Sequence, residues 1–270
     1  MTVPDKPIAV GRTAEIYARG ERQVLKLYRD WCPPHWVDFE ARIGRIVQDA
    51  GLPVPVVGEI VEVNGRRGLV YERLEGASML RAILAKPWMI IQFGRQAAEL
   101  HAAMHAVQAP PDLPDQRGSF KWAIEHAQAL PDDLKRKALA VLDTCSAGDR
   151  LCHGDFHPDN ILMTPRGPVI IDWMTATRGD PLGDVARTVL LMTVGEPPMN
   201  IFIRLLTRVM RGWMRAAYLK RYFELRPDGR EQLSKWLVVT YAARLNEAIP
   251  GEAGQLIPFI EYETRDLQMK

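Results

Sequence analysis

Residues 153 to 160 read His153-Gly154-Asp155-Phe156-His157-Pro158-Asp159-Asn160, and twelve residues past Asn160, behind Val169-Ile170-Ile171, comes Asp172-Trp173. Apolar segments bound the stretch, Leu151-Cys152 before it and Ile161-Leu162-Met163 after it. The polar residues therefore form a loop gripped between strands. Asp155 is placed to accept a proton from a hydroxyl. Asn160 turns back as an oxygen ligand, and Asp172 arrives on the next strand as a second, charged one. Mg²⁺ favours oxygen ligands and commonly takes one or two carboxylates. A lone loop aspartate is most often a turn or cap residue; it is the three side chains at this spacing that carry the reading.

At 270 residues the chain has room for one large domain or two lobes with a real core. Its 25% charged and 47% hydrophobic composition is that of an ordinary soluble globular protein. A net charge of +2 is too small to argue for nucleic acid. No run approaches the roughly 18 apolar residues of a membrane span, so no membrane partner is expected. The start, Met1-Thr2-Val3-Pro4-Asp5-Lys6, lacks a charged-then-apolar signal pattern. Cys32, Cys145 and Cys152 are odd in number and unpatterned. They read as free thiols of a reducing, cytoplasmic compartment, not as a disulfide framework or a zinc site. Composition leaves monomer and homodimer open.

No internal repeat or low-complexity tract appears. Short β-rich segments at 8–10, 15–18 and 23–28 alternate with turns. Residues 35–50 read as an amphipathic helix through Phe39, Ile43, Ile46 and Val47. Gly51 ends it, and Pro53 and Pro55 forbid its continuation. Strands near 56–63 and 67–73 are joined by an Asn64-Gly65 turn. The expectation is a small five-stranded antiparallel lobe with one helix, residues 1–74. A larger, mostly helical lobe, residues 75–270, follows. In it a long helix spans 88–107, prolines 110, 111 and 114 break the chain, and two shorter helices precede Leu151. Asp180-Pro181 starts a helical remainder, Asp at the N-cap and Pro at the first helical position. The fold class is α+β and bilobal.

The His-x-Asp-x-x-x-x-Asn loop followed by a strand ending in Asp is the spacing of kinase-type phosphotransferases. On that layout the small lobe supplies nucleotide contacts. Gly11 and Thr13 lie between the first two strands, where a loop folds over phosphates, although one glycine alone marks an ordinary hairpin turn. Lys26, inside the third strand, reaches the phosphates if it faces the cleft and solvent if it does not. In the cleft it needs an anionic partner, and Glu40 on the next helix is the natural one. Tyr71-Glu72-Arg73-Leu74 ends the fifth strand. There the Glu72 carbonyl and Leu74 N–H can meet a base edge. Tyr71 stands either behind the base, where its bulk would favour GTP at least comparably to ATP, or in the lobe core beside Glu40.

The chain resembles the aminoglycoside phosphotransferase and choline kinase-like family. The matching residues are His153-Gly154-Asp155 through Asn160, Ile171-Asp172-Trp173 and Gly179-Asp180-Pro181-Leu182-Gly183-Asp184-Val185-Ala186. The Val70-to-Gly76 hinge and Leu52-Pro53-Val54-Pro55 match as well. The resemblance covers nearly the whole chain. It implies a protein-kinase-like fold, ATP or GTP with Mg²⁺, and phosphoryl transfer to a small-molecule hydroxyl. Asp155 is then the base, and Asn160 and Asp172 are the metal ligands.

His157, two residues after the base, either donates to the γ-phosphate or orders the loop; His153 reads as structural. His101 and His105 stand four apart on a helix, a zinc-compatible spacing, but the sequence offers no third ligand and the reading is a packed helix face. Arg204, Arg208, Arg211 and Arg215 form a basic stripe, read as a solvated face. A protein kinase is disfavoured because Asp172 and Asp180 are too close for a long activation segment. A non-catalytic nucleotide-binding module is disfavoured because every expected site residue is present. A polycationic acceptor calls for an acidic pocket. Asp180, Glu196, Glu247, Glu252 and Glu261 are its candidates, with a sugar, an amino alcohol and an antibiotic all open as acceptors.

Overall fold

Sheet registers and helix caps below come from a computed structural model, which describes residues 6–194 and 201–269; of 201–204 and 266–269 only the backbone is described. Residues 1–5 at the start of the chain, Glu196 and the Arg204 side chain lie outside it. In chain order the elements are β1 (Ala9–Val10), β2 (Ala14–Arg19), β3 (Gln23–Tyr28), α1 (Pro34–Asp49), β4 (Val57–Val63), β5 (Arg66–Glu72), β6 (Ala77–Ser78), α2 (Met79–Ala85), α3 (Ile90–Met104), α4 (Gln116–His126) and α5 (Asp132–Asp143). Then come β7 (Arg150–Cys152), β8 (Ile161–Thr164), β9 (Gly167–Ile170), β10 (Thr177–Gly179), α6 (Pro181–Leu191), α7 (Ile201–Leu225), α8 (Leu233–Arg244) and α9 (Ala253–Met269).

The chain divides into two units, one of residues 1–85 and 158–175, the other of 86–157 and 176–270. The boundary thus falls past Leu74, and residues 158–175 return to the smaller unit. Strand pairing explains the return. β8 pairs antiparallel with β6 on one side and β9 on the other, and the Ile170 N–H donates to the Pro53 carbonyl.

In the smaller unit a five-stranded antiparallel sheet has the order β1-β2-β3-β5-β4. Asn64 and Gly65, both at positive φ, make the tight β4–β5 turn that such a pair predicts. β3 is the central strand, and its alternation sorts two cores. Tyr28 joins Ala14, Val37, Ala41 and Leu69 on the α1 face. Leu25 and Leu27 join Val63 and Val70 on the other.

Among the described residues, the regular elements of the larger unit are helices apart from the antiparallel pair β7–β10. α8 packs against α4, α5, α6 and α9, and α3 packs along α7. α3 is shorter than the 88–107 expected. The chain turns after Met104 because the Val107 carbonyl accepts from Leu151 N–H and Gln108 bridges to Arg150, edging β7. α6 starts as expected, with the Asp180 carboxylate accepting from Leu182 N–H at 2.8 Å and Pro181 at the first position. All three cysteines are buried and unpaired. Among the described residues no helix is long and apolar enough to cross a membrane.

Candidate active site

In the smaller unit, Lys26 is buried in mid-strand, which an ammonium tolerates only with partners. Its Nζ lies 2.7 and 2.9 Å from the two oxygens of Glu40 and 2.9 Å from Asp172 Oδ1. Burial works against its charge, but Glu40 and then Asp172 override it and raise its pKa. Burial pushes the Glu40 carboxyl upward against the pull of Lys26. One cation therefore faces two carboxylates. The hydroxyls of Tyr28 and Tyr71 both donate to Glu40, that of Tyr71 at 2.8 Å. Tyr71 is thereby anchored beside α1, the second of the two positions open to it in the sequence. Tyr28 was not singled out at all, although its place two residues after Lys26 puts it on the same sheet face.

Asp172 sits at φ 65°, an uncommon conformation for a residue with a side chain. Asn160 closes the short turn Pro158–Asn160 and accepts the Ile171 N–H through its carbonyl at 3.0 Å. Both carry oxygen donors, as Mg²⁺ requires. The turn around Gly11 and Thr13 is held from below. Gly11 N–H donates to Ala14, and the Arg29 guanidinium donates to the carbonyls of Gly11 and Arg12. At the end of β5 the Glu72 and Arg73 N–H groups are taken by Val56 and Arg22, and the Glu72 carboxylate meets Arg166 at 3.0 Å. Leu74 lies two residues past that ladder.

In the larger unit, Asp155 follows β7. His157 Nε2 is 3.4 Å from its carboxylate, and the His153 ring accepts the Asp155 N–H at 3.2 Å. Burial disfavours the Asp155 charge, but His157 and then Arg187 outweigh it and hold the carboxyl below its ordinary range. Gly154 has φ 79°, a conformation that glycine adopts without penalty.

Beneath this loop is a buried polar cluster. The Asp184 carboxylate of α6 accepts the N–H groups of His153 and Gly154 at 2.5 and 2.8 Å. The Nε2 atoms of His101 and His105 stand 3.1 and 3.3 Å from the same carboxylate. Their Nδ1 atoms meet the hydroxyls of Tyr218 and Tyr222 on α7 at 2.5 and 2.7 Å. With the tyrosines donating to Nδ1, both histidines donate Nε2–H to Asp184, which thus receives four donors. These bonds, His101 first, overcome the cost of burial and hold Asp184 well below the ordinary carboxylate range. Burial, and then the neighbouring His101, lower the pKa of His105 to about 3. The missing third partner of the histidine pair is therefore Asp184, 79 residues beyond His105. The donor atoms of the three lie within 4.8 Å of one another, and all are engaged in hydrogen bonds. In the sequence the Asp184 motif and the histidine spacing were both visible, but nothing in either joined them.

Of the basic stripe, Arg211 and Arg215 are half-buried, not solvated. They bond the Val194 carbonyl and the Thr193 hydroxyl at 3.1 and 2.9 Å. Arg208 is exposed.

A model of the family described as "Phosphotransferase enzyme family" matches residues 5–233. No curated protein matches the chain in sequence. Solved structures are similar throughout. A thermostable mutant of aminoglycoside phosphotransferase APH(4)-Ia, in ternary complex with AMP-PNP and hygromycin B, is 20% identical; the match covers 98% of this chain and 94% of that one, at a TM-score of 0.67. A choline kinase from Cryptosporidium parvum Iowa II is 12% identical over 98% and 90%, at 0.60. A putative fructosamine-3-kinase from Haemophilus somnus 129PT is 16% identical over 96% and 90%, at 0.65. At these identities the likeness establishes the fold, a kinase-like one.

Proposed function

Since this chain belongs to the phosphotransferase enzyme family, we propose that it transfers the γ-phosphoryl group of ATP or GTP to a hydroxyl of a small molecule. The observation that supports this best is the loop around Asp155. Its backbone is held by a carboxylate with four donors, and the Asp155 carboxyl is kept ionised by His157 and Arg187. An ionised, rigidly presented carboxylate is what a general base requires. In the proposed step the acceptor oxygen bonds to the γ-phosphorus while the bond from that phosphorus to the bridging β–γ oxygen breaks. The electron pair leaves with the nucleoside diphosphate, and the hydroxyl proton goes to Asp155. Lys26, braced by Glu40, pairs with the phosphates. Gly11 and Thr13 cover them, and Glu72 and Leu74 meet the base through the backbone. Asn160 and Asp172 would hold Mg²⁺, which offsets the negative charge of the phosphate oxygens. His157, against the base, orients it.

Asp155→Asn tests the assignment. It removes the proton acceptor but keeps the shape, so turnover falls by about 10² to 10⁴ while nucleotide affinity is retained. Nucleoside diphosphate release and a fluorescent-nucleotide titration measure the two. Near-wild-type turnover under conditions where chemistry limits the rate would remove Asp155 from the role of base.

A further inference from the structure

A row of ion pairs leads away from the proposed base within the larger unit. Arg187, on α6, donates its Nε–H to the Gly154 carbonyl at 3.2 Å, and its Nη2 meets Glu247 Oε1 at 2.7 Å. The other oxygen of Glu247 accepts from Arg244 Nη1 at 2.5 Å. Arg244 in turn grips Glu252 through Nε and Nη2 at 2.7 and 3.0 Å. The Glu252 end is buried, whereas the Glu247 side chain is 31% exposed and that of Asp155 32%.

We propose that the Arg187–Glu247–Arg244 row is the acceptor subsite beside Asp155, and that it selects an uncharged polyhydroxylated molecule over a polycationic one. This rests on the phosphotransferase reading above. Three of the five carboxylates that the sequence offers to ammonium groups are already engaged. Asp180 caps α6, Glu252 is buried against Arg244, and Glu247 lies between two guanidinium groups. A carboxylate that already faces two cations presents little negative field to a third, and an arriving polycation meets Arg187 and Arg244 as like charges. A hydroxyl has neither difficulty. It donates to a carboxylate oxygen and accepts from a guanidinium N–H without net charge. The alternation of donor, acceptor and donor along the row therefore suits neighbouring hydroxyls on a sugar or cyclitol ring. One of these hydroxyls would then stand at the Asp155 end.

The test is a turnover panel with the full chain, ATP or GTP and Mg²⁺, using glucose and myo-inositol against kanamycin and choline. The best uncharged polyol is expected to exceed both cations in kcat/KM by about tenfold or more. Glu247→Gln should raise the KM for that polyol by about tenfold, with a smaller change in kcat. Glu252→Gln, at the buried end, should lower the melting temperature without altering the ranking of acceptors. Preference for kanamycin or choline, or an unchanged polyol KM in Glu247→Gln, overturns the proposal. So does a Glu252→Gln variant that raises the polyol KM as Glu247→Gln does, since the row is then a structural brace. Failure of the phosphotransferase reading has a different signature: no binding of ATP or GTP in the presence of Mg²⁺ and no nucleoside diphosphate release with any acceptor.

Discussion

Lys26 shows how much one residue's surroundings decide. From the sequence its side chain had two faces of a strand to choose between, and the choice set whether it was a site residue or a solvated lysine. The buried bonds to Glu40 and Asp172 settle the face. Lys26→Met keeps the volume and removes the cation. Catalysis is expected to fall by about 10² to 10³ if the ammonium stabilises phosphate charge. The fold should survive, because Glu40 keeps its two tyrosine hydroxyls. Steady-state kinetics alongside a circular-dichroism melt separate the two effects, and a folded variant with wild-type kinetics refutes the role. Lys26 and Glu40 were legible because a charged residue inside an apolar strand demands a partner nearby in the chain. Arg187, Arg244 and Tyr28 were not. Their partners are set by tertiary approach, and arginines or tyrosines in helices and strands carry no local signature of pairing.

At the level of elements, the strands of the small sheet, α1 and the start of α6 were legible, because alternation, the Asn64-Gly65 turn and the Asp-Pro cap are local signals. The β7–β10 pair and the β6–β8 pair were not. They join short segments that are remote in sequence, and register between such segments is a tertiary property. The α3–α7 contact is equally remote, and it depends on a missing side chain. A Cβ at Gly94 would lie 2.7 Å from the Met214 carbonyl oxygen and 3.2 Å from Ala217 Cβ. Gly94→Ala gains up to about 1 kcal/mol of helix propensity. It loses about 1–3 kcal/mol to overpacking, since the obstacle is backbone that cannot swing away. The loss is expected to win by about 1 kcal/mol, read as a lower urea midpoint with an unchanged m-value. A more stable variant would mean that the two helices do not approach this closely.

For the whole molecule the buried histidine sets the response to acid. His105 titrates at about 3 when folded and near its ordinary 6.5 when unfolded. The unfolded chain therefore binds the extra proton first. Stability from this group is complete above pH 6.5 and is lost as the pH falls toward 3, at up to about 1.4 kcal/mol per pH unit. Asp184, depressed further, adds its own loss only below the ordinary aspartate range near 3.8. Urea midpoints should hold nearly level from pH 7.5 to about 6.5 and fall from there to 4.5, and a flat profile over the whole range would contradict a neutral, buried His105. The convergence on Asp184 has a wider meaning for robustness. The N–H groups that open the proposed catalytic loop and the two histidines that meet the α7 tyrosines converge on this one carboxylate. Acid inactivation and acid unfolding should therefore coincide. Variants that keep activity in acid would have to duplicate this hub, because repairing either side alone leaves the common point of failure in place.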